Sequence, residues 1–264
     1  MRTTCFYLCF LLLPAAVLSA CNNSTGSPAD PTVPVSATGV TGSGNDLYYQ
    51  YDIKGGSRLM KMDGAMKLYF AASGKVRMEM LTGINANIQG KPVHERPAIV
   101  VIGNSNNPTE TISLDDSAKT FTKNHIDTAE LGNTGMKTQS TVIKAGEDQI
   151  LGFHCVHAKI ITARSIGTMY KMTDTSDLWK SNDVPMQPAL RRWIDLSQAK
   201  TNTYLYSPEI NAQLKQMGCD GMFVKMVTHT KQSLMTMALT KVEKKDFAPG
   251  LFEVPAGYKE VRDN

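Results

Sequence analysis

From residue 47 onward, apolar and polar side chains alternate. Leu47, Tyr49, Tyr51 and Ile53 fall on one side of an extended segment, and Tyr48, Gln50, Asp52 and Lys54 on the other. Period two predicts a strand with one buried face. The alternation recurs over residues 64–71 and 75–81, with Ser73-Gly74 between them as a hairpin turn. It returns at 98–103, 110–115, 119–124, 140–146, 153–162 and 167–173, punctuated by turn pairs such as Asn106-Asn107 and Asp115-Asp116. Two segments carry helical spacing instead, residues 187–199 and 207–218. The second opens Ser207-Pro208-Glu209: a cap, a proline in the first turn and an acid matched to the helix dipole. Strands at 222–230 and 234–243 close the series. The short spacings predict hairpins rather than crossover units. The fold class is therefore mainly β (α+β), an antiparallel sheet with a late helical pair.

The first 45 residues follow other rules. Residues 5–18 are apolar and follow a single charge, Arg2. At about 14 residues the run is too short to span a bilayer as a helix. It fits a secretory signal peptide, with small residues Ser19 and Ala20 before the cut. The next residue is Cys21, and Leu18-Ser19-Ala20-Cys21 resembles the lipobox of bacterial lipoproteins. That resemblance implies diacylglyceryl transfer to the Cys21 sulfur, removal of residues 1–20, and a membrane partner held through lipid. Two or three acyl chains on one residue make a stable tether where one alone binds reversibly. Residues 22–45 are rich in Gly, Ser, Thr, Asn and Pro, with Asp30 as their single charge. Such a segment buries too little apolar surface to order itself, and as a coil its ends would lie roughly 25–30 Å apart. The organisation read here is a signal peptide at 1–20, a lipid-bearing tether at 21–45 and one β-rich domain at 46–264. Asp after the lipidated cysteine marks inner-membrane retention in enteric bacteria. Asn22 stands there instead, so the expected location is the outer membrane of a bacterial envelope.

Composition narrows the chemistry. The net charge of +4 falls to +3 once Arg2 leaves, too mild for a nucleic-acid partner. The motifs G-x-S-x-G, G-x-x-x-x-G-K-[ST], H-E-x-x-H and Cys-x-x-Cys are all absent, and His94-Glu95 has no second His at helical spacing. The expectation is no enzyme and no cofactor.

The chain has 15 methionines, several two apart: Met60 and Met62, Met78 and Met80, Met235 and Met237. Spacing of two puts each pair on one sheet face. Core packing, a pocket for an apolar ligand, and a thioether copper site with His154, Cys155 and His157 are the three readings. Cys155 and Cys219 remain as the two thiols of the exported chain. A bond between them would close a loop of roughly 65 residues, worth near 4 kcal/mol on a chain-entropy argument; two free buried thiols are the alternative.

Four stretches carry a resemblance: Asp246–Val261 (DFAPGLFEVPAGYKEV), Ile143–Cys155 (IKAGEDQILGFHC), Asp177–Pro185 (DLWKSNDVP) and the final pair of strands at 221–247. Together they resemble bacterial lipoproteins of domain-of-unknown-function family 4412, over roughly residues 46–261; residues 84–96 resemble nothing in that family. Its members are similar to the lipoprotein carriers LolA and LolB. The resemblance implies a curved antiparallel sheet, an incomplete barrel wrapped over one or two helices, with an apolar interior. A carrier or binding module for an apolar ligand is then expected, lined by Phe70, Met78, Met80 and Met226. The alternative is an envelope structural or interaction lipoprotein with a filled core. In the closing signature, Pro255 and Gly257 forbid a regular strand, so the loop is read as stapling its aromatics into one end of the core, with a ligand gate as the alternative.

The lipid anchor has a direct test. The chain should incorporate labelled palmitate in a bacterial host, and Cys21→Ser should abolish the label and release the protein from the membrane fraction. Labelling that survives the substitution refutes the anchor.

Overall fold

Where side chains alternate, strands form and pair with their neighbours in the chain. The computed structural model describes residues 39–262 except 58–59, 89–90, 96–97, 126–136, 167–169, 188–189, 195–207 and 231–232. Residues 1–38, with Cys21, lie outside the described residues. Strand β1 (Val40–Gly42) precedes β2 (Asp46–Ser57), β3 (Met60–Phe70) and β4 (Lys75–Ile88). Next come β5 (Lys91–Glu95), β6 (Ala98–Asn104), β7 (Asn107–Asp115) and β8 (Thr120–His125). The second half holds β9 (Lys137–Ile150), β10 (Phe153–Ile166) and β11 (Tyr170–Ser181), then β12 (Met222–His229), β13 (Ser233–Lys245) and β14 (Lys259–Glu260). Helix α1 (Pro208–Gln216) starts at the proline read as its first turn, with Glu209 at its N-terminal end and Lys215 in its last turn. Residues 190–194, inside the other predicted helix, are also helical.

Among the described residues the fourteen strands form one curved sheet in the order β14-β8-β7-β6-β4-β3-β2-β13-β12-β11-β10-β9, with β1 on β13 and β5 on β4. Its two ends, β14 and β9, do not pair, so the sheet stays open. Every pairing is antiparallel except β1 with β13 and β14 with β8. The fold is thus mainly β with few helices, as read from the alternation. β1 falls inside the stretch read as tether, because Val40–Gly42 pairs in register with Val242–Lys244. Residues 84–88 and 91–95, unlike anything recognised, simply lengthen β4 and pair it with β5. Bulges interrupt the ladders at His157/Ala158, Trp179/Lys180, Leu239/Lys241 and Gly103/Asn104. Each adds local twist and bend.

One face carries the main core. Tyr49, Tyr51, Leu68, Phe70, Val76, Val101, Ile160, Leu178 and Leu239 bury there together. The helical segments cover it: Leu190 and Trp193 from residues 190–194, and Ile210 and Leu214, four apart on one face of α1, join the same cluster. Trp193 packs onto Gly103 of β6, where a Cβ would lie 2.6 Å from its Nε1.

The closing signature does something other than expected. Val100, Ile102 and Leu114 form a second cluster with Val254 and Tyr258 packed on it. Val100 and Ile102 flank Val101 of the main core, so this cluster lies on the opposite face. The loop therefore does not enter the core; it straps the outer face. Phe247 meets Tyr69 edge-on, Phe252 meets Phe247, and the Arg77 guanidinium donates to the Leu251 carbonyl at 3.1 Å. The strap ends as β14, parallel to β8. Apolar residues on both faces explain this route: an open sheet must cover each.

Gly103→Val should overpack the Trp193 contact and lower stability by about 1–3 kcal/mol, read as a lower urea midpoint. Gly250→Ala, where a Cβ meets nothing within 4 Å, should leave the midpoint unchanged.

Candidate ligand-binding face

Residues directly opposite in a sheet share a face, and the registers assemble the inner one. Met78 lies opposite Leu68 and Val101, and Met80 opposite Met66 and Ile99. Met66 faces Tyr51 across the β2–β3 ladder. Ile53 faces Met237, Met237 faces Met226, and Met226 faces Leu178. Met235 is two residues from Met237, and Gly55 stands between it and Met62. Six of these methionines, Met62, Met66, Met78, Met80, Met235 and Met237, are half-buried. The inner face thus changes along the strands from a shut core to a partly open surface of thioethers.

The four residues expected to line an interior all come to this face, at different depths. Phe70 is 0% exposed and Met226 6%, so both are core. Met78 packs against that core, and Met80 is half-buried beside Met66. Met235 and Met237, read in the sequence as a pair on one face but not as lining, join them, and so does Met66, which was not singled out. Their spacing gave the face of each strand but not which strands become neighbours.

The same face turns polar toward the β10–β11 hairpin. Thr228 lies opposite Met235, and Ser176 opposite Thr228, the two hydroxyls 3.2 Å apart. Two residues on, Asp174 lies opposite Thr162, whose hydroxyl meets that of Ser140 at 3.1 Å. Asp174 pairs with Arg164; their side chains are 0% and 13% exposed. Neither residue was singled out in the sequence. The available signal was two opposite charges at inward positions of consecutive strands: Arg164 in step with Ile160 and Thr162, Asp174 with Ser176 and Leu178.

The thioether–histidine–cysteine copper reading finds no support. Cys155 is in the core, His154 Nε2 sits 3.2 Å from a Glu147 oxygen, and His157 stacks on Trp179 at 4.0 Å and meets Asp177 Oδ1 at 2.9 Å. Among the described residues no group of three or more His, Cys, Asp or Glu could hold a metal ion. No helix among them is long and apolar enough to cross a membrane.

Cys155 and Cys219 are free thiols here, both 0% exposed and both in the main core. The expected bond is not formed in this structure, because each sulfur turns to a backbone carbonyl. Cys155 Sγ lies 3.5 Å from the Phe153 oxygen and Cys219 Sγ 3.5 Å from the Val156 oxygen. Burial raises both thiols, Cys155 to about 11.

Residues 57–258 match the family described as domain of unknown function DUF4412. The chain belongs to that family. No curated protein matches this DUF4412 chain significantly. Among solved structures, LprF from Mycobacterium bovis is similar at 12% identity, covering 78% of this chain and 88% of its own, with a TM-score of 0.30. A LolA superfamily protein from Nitrosomonas europaea is similar at 4% identity, covering 79% and 90%, with a TM-score of 0.23. Likenesses this distant transfer neither a ligand nor a cellular role to the DUF4412 chain.

The raised thiol sets a pH dependence. The unfolded Cys155 ionises near its ordinary value of 9.0, the folded one near 11. Between those values the unfolded state binds fewer protons, so stability is fully present below about pH 9 and falls as pH rises toward 11. Urea midpoints measured across that window should decline, and less steeply in Cys155→Ala.

Proposed function

We propose that this DUF4412 protein is a lipid-anchored envelope protein that binds an apolar ligand, a lipid or acyl chain, on the inner face of its open sheet. The observation that carries the reading is the half-buried methionine surface of Met66, Met78, Met80, Met235 and Met237, continuous with the core. A filled core would bury these side chains, since each buried CH₂ is favourable by about 0.8 kcal/mol. Methionine is unbranched and adapts to irregular apolar shapes, which suits a chain of variable length. The anchor on Cys21 and the outer-membrane location belong to the same proposal and rest on the lipobox resemblance and Asn22. The second reading, an envelope structural protein with a filled core, is favoured by Phe70 and Met226, both packed shut.

Organic extraction of the chain from residue 22, purified from a bacterial envelope without its acyl groups, should release a stoichiometric lipid detectable by mass spectrometry. Met235→Asp or Met80→Asp should weaken binding of an apolar fluorescent probe at least roughly tenfold, since an unpaired charge on that face is costly. Unchanged probe binding in folded variants supports the filled-core reading.

A further inference from the structure

The Arg164–Asp174 pair poses a question that packing does not answer. Replacing a buried ion pair by apolar residues of similar size is often neutral or stabilising, so stability alone gives no reason for this one. Asp174 Oδ1 is buried and has no hydrogen-bond partner among the described residues, while Oδ2 takes the Arg164 guanidinium. Buried acceptors in native proteins are almost always satisfied. This one lies on the ligand face, two residues beyond Ser176 on β11, with Leu178 two further back. A chain laid along Met237 and Met235 points its head at half-buried Thr228, with Ser176 opposite it and Asp174 two residues further, both buried behind it.

We propose that the Arg164–Asp174 pair and the Ser176 and Thr228 hydroxyls receive the headgroup of an acyl ligand, and that this headgroup is uncharged and carries a hydroxyl. This rests on the apolar-ligand reading and names its ligand class. The charges decide the class. The pair is already neutral in sum, so a carboxylate head would add an uncompensated negative charge beside the orphan oxygen. An ammonium head would add an uncompensated positive one. Either buried charge costs far more than a neutral hydroxyl, which donates to Oδ1 and accepts from the Ser176 or Thr228 hydroxyl. An acylglycerol has this chemistry.

The test uses the chain from residue 22 without acyl groups, loaded with an apolar fluorescent probe. A monoacylglycerol, the methyl ester of the same acid and the free fatty-acid anion compete in turn. The monoacylglycerol should displace the probe at roughly tenfold lower concentration than the ester, as expected for a hydrogen bond to a charged group, and the anion should be no better than the ester. The double replacement Arg164→Met with Asp174→Leu should keep the ester's affinity and erase the monoacylglycerol advantage. Equal displacement by monoacylglycerol and ester on the unaltered chain overturns the headgroup proposal and leaves the apolar-ligand reading standing. An advantage that persists in the double variant also overturns it. Absence of any probe binding sinks the apolar-ligand reading and this one together. The comparison of ligands on the unaltered chain decides the matter even if the double variant does not fold.

Discussion

An open sheet has two faces, and in this protein both carry apolar side chains that must leave water. That requirement organises everything else. A closed barrel would dispose of one face inside itself, but β14 and β9 never meet. Cover therefore comes from elsewhere in the chain. On the inner face Trp193, Ile210 and Leu214 descend from the helical segments onto the strands. On the outer face the segment after β13 runs back across β3, β4 and β6 to β8, setting Phe247 against Tyr69, Phe252 against Phe247, and Val254 and Tyr258 over Val100, Ile102 and Leu114. On the same face as the inner cover Met66, Met78, Met80, Met235 and Met237 are only half-buried, and the proposed function rests on that surface.

Both covers depend on small local choices. Trp193 reaches β6 only because position 103 lacks a side chain. Just past the end of helix α1, Gly218, with a φ of +75°, turns the chain so that the Cys219 amide donates to the Leu214 carbonyl. Cys219 then enters the core immediately before β12. Its thiol is buried in the same core cluster as that of Cys155 and as Ile210 and Leu214 of the helix.

Much of this was legible in the sequence because alternation is a local property. Leu47, Tyr49 and Tyr51 announced their buried side without reference to any partner strand. Pro208 likewise announced the start of α1. What could not be read was register. The inner face of β10 depends on the β9 bulge beside His157, and Cys155 and His157, two residues apart, end in different surroundings. The strap was misread for a related reason: its aromatics were plainly apolar, but nothing local states which of two apolar faces they cover. The Arg164–Asp174 pair was invisible because a charge in a strand ordinarily points to solvent, and only a known partner across the hairpin makes it interior. The methionines lay between these cases. Their faces were evident strand by strand; their meeting across β4, β3, β2, β13 and β12 was not.

The parallel attachment of β1 to β13 bears on mechanics. Val40, Thr41 and Gly42 lie alongside Val242, Glu243 and Lys244, and the Thr41 hydroxyl donates to the Val242 carbonyl at 3.3 Å. A tug arriving through residue 39 runs along the axis of β1. It loads these bonds in shear, all at once, where a strand peeled from its end would give way one bond at a time. The Asn45 amide, bonded to Asp246 at 3.1 Å, holds the next few residues against the same element. Force transmitted from upstream is thereby delivered to β13, inside the strand order, and spread to β2 and β12 on either side rather than to the two open edges.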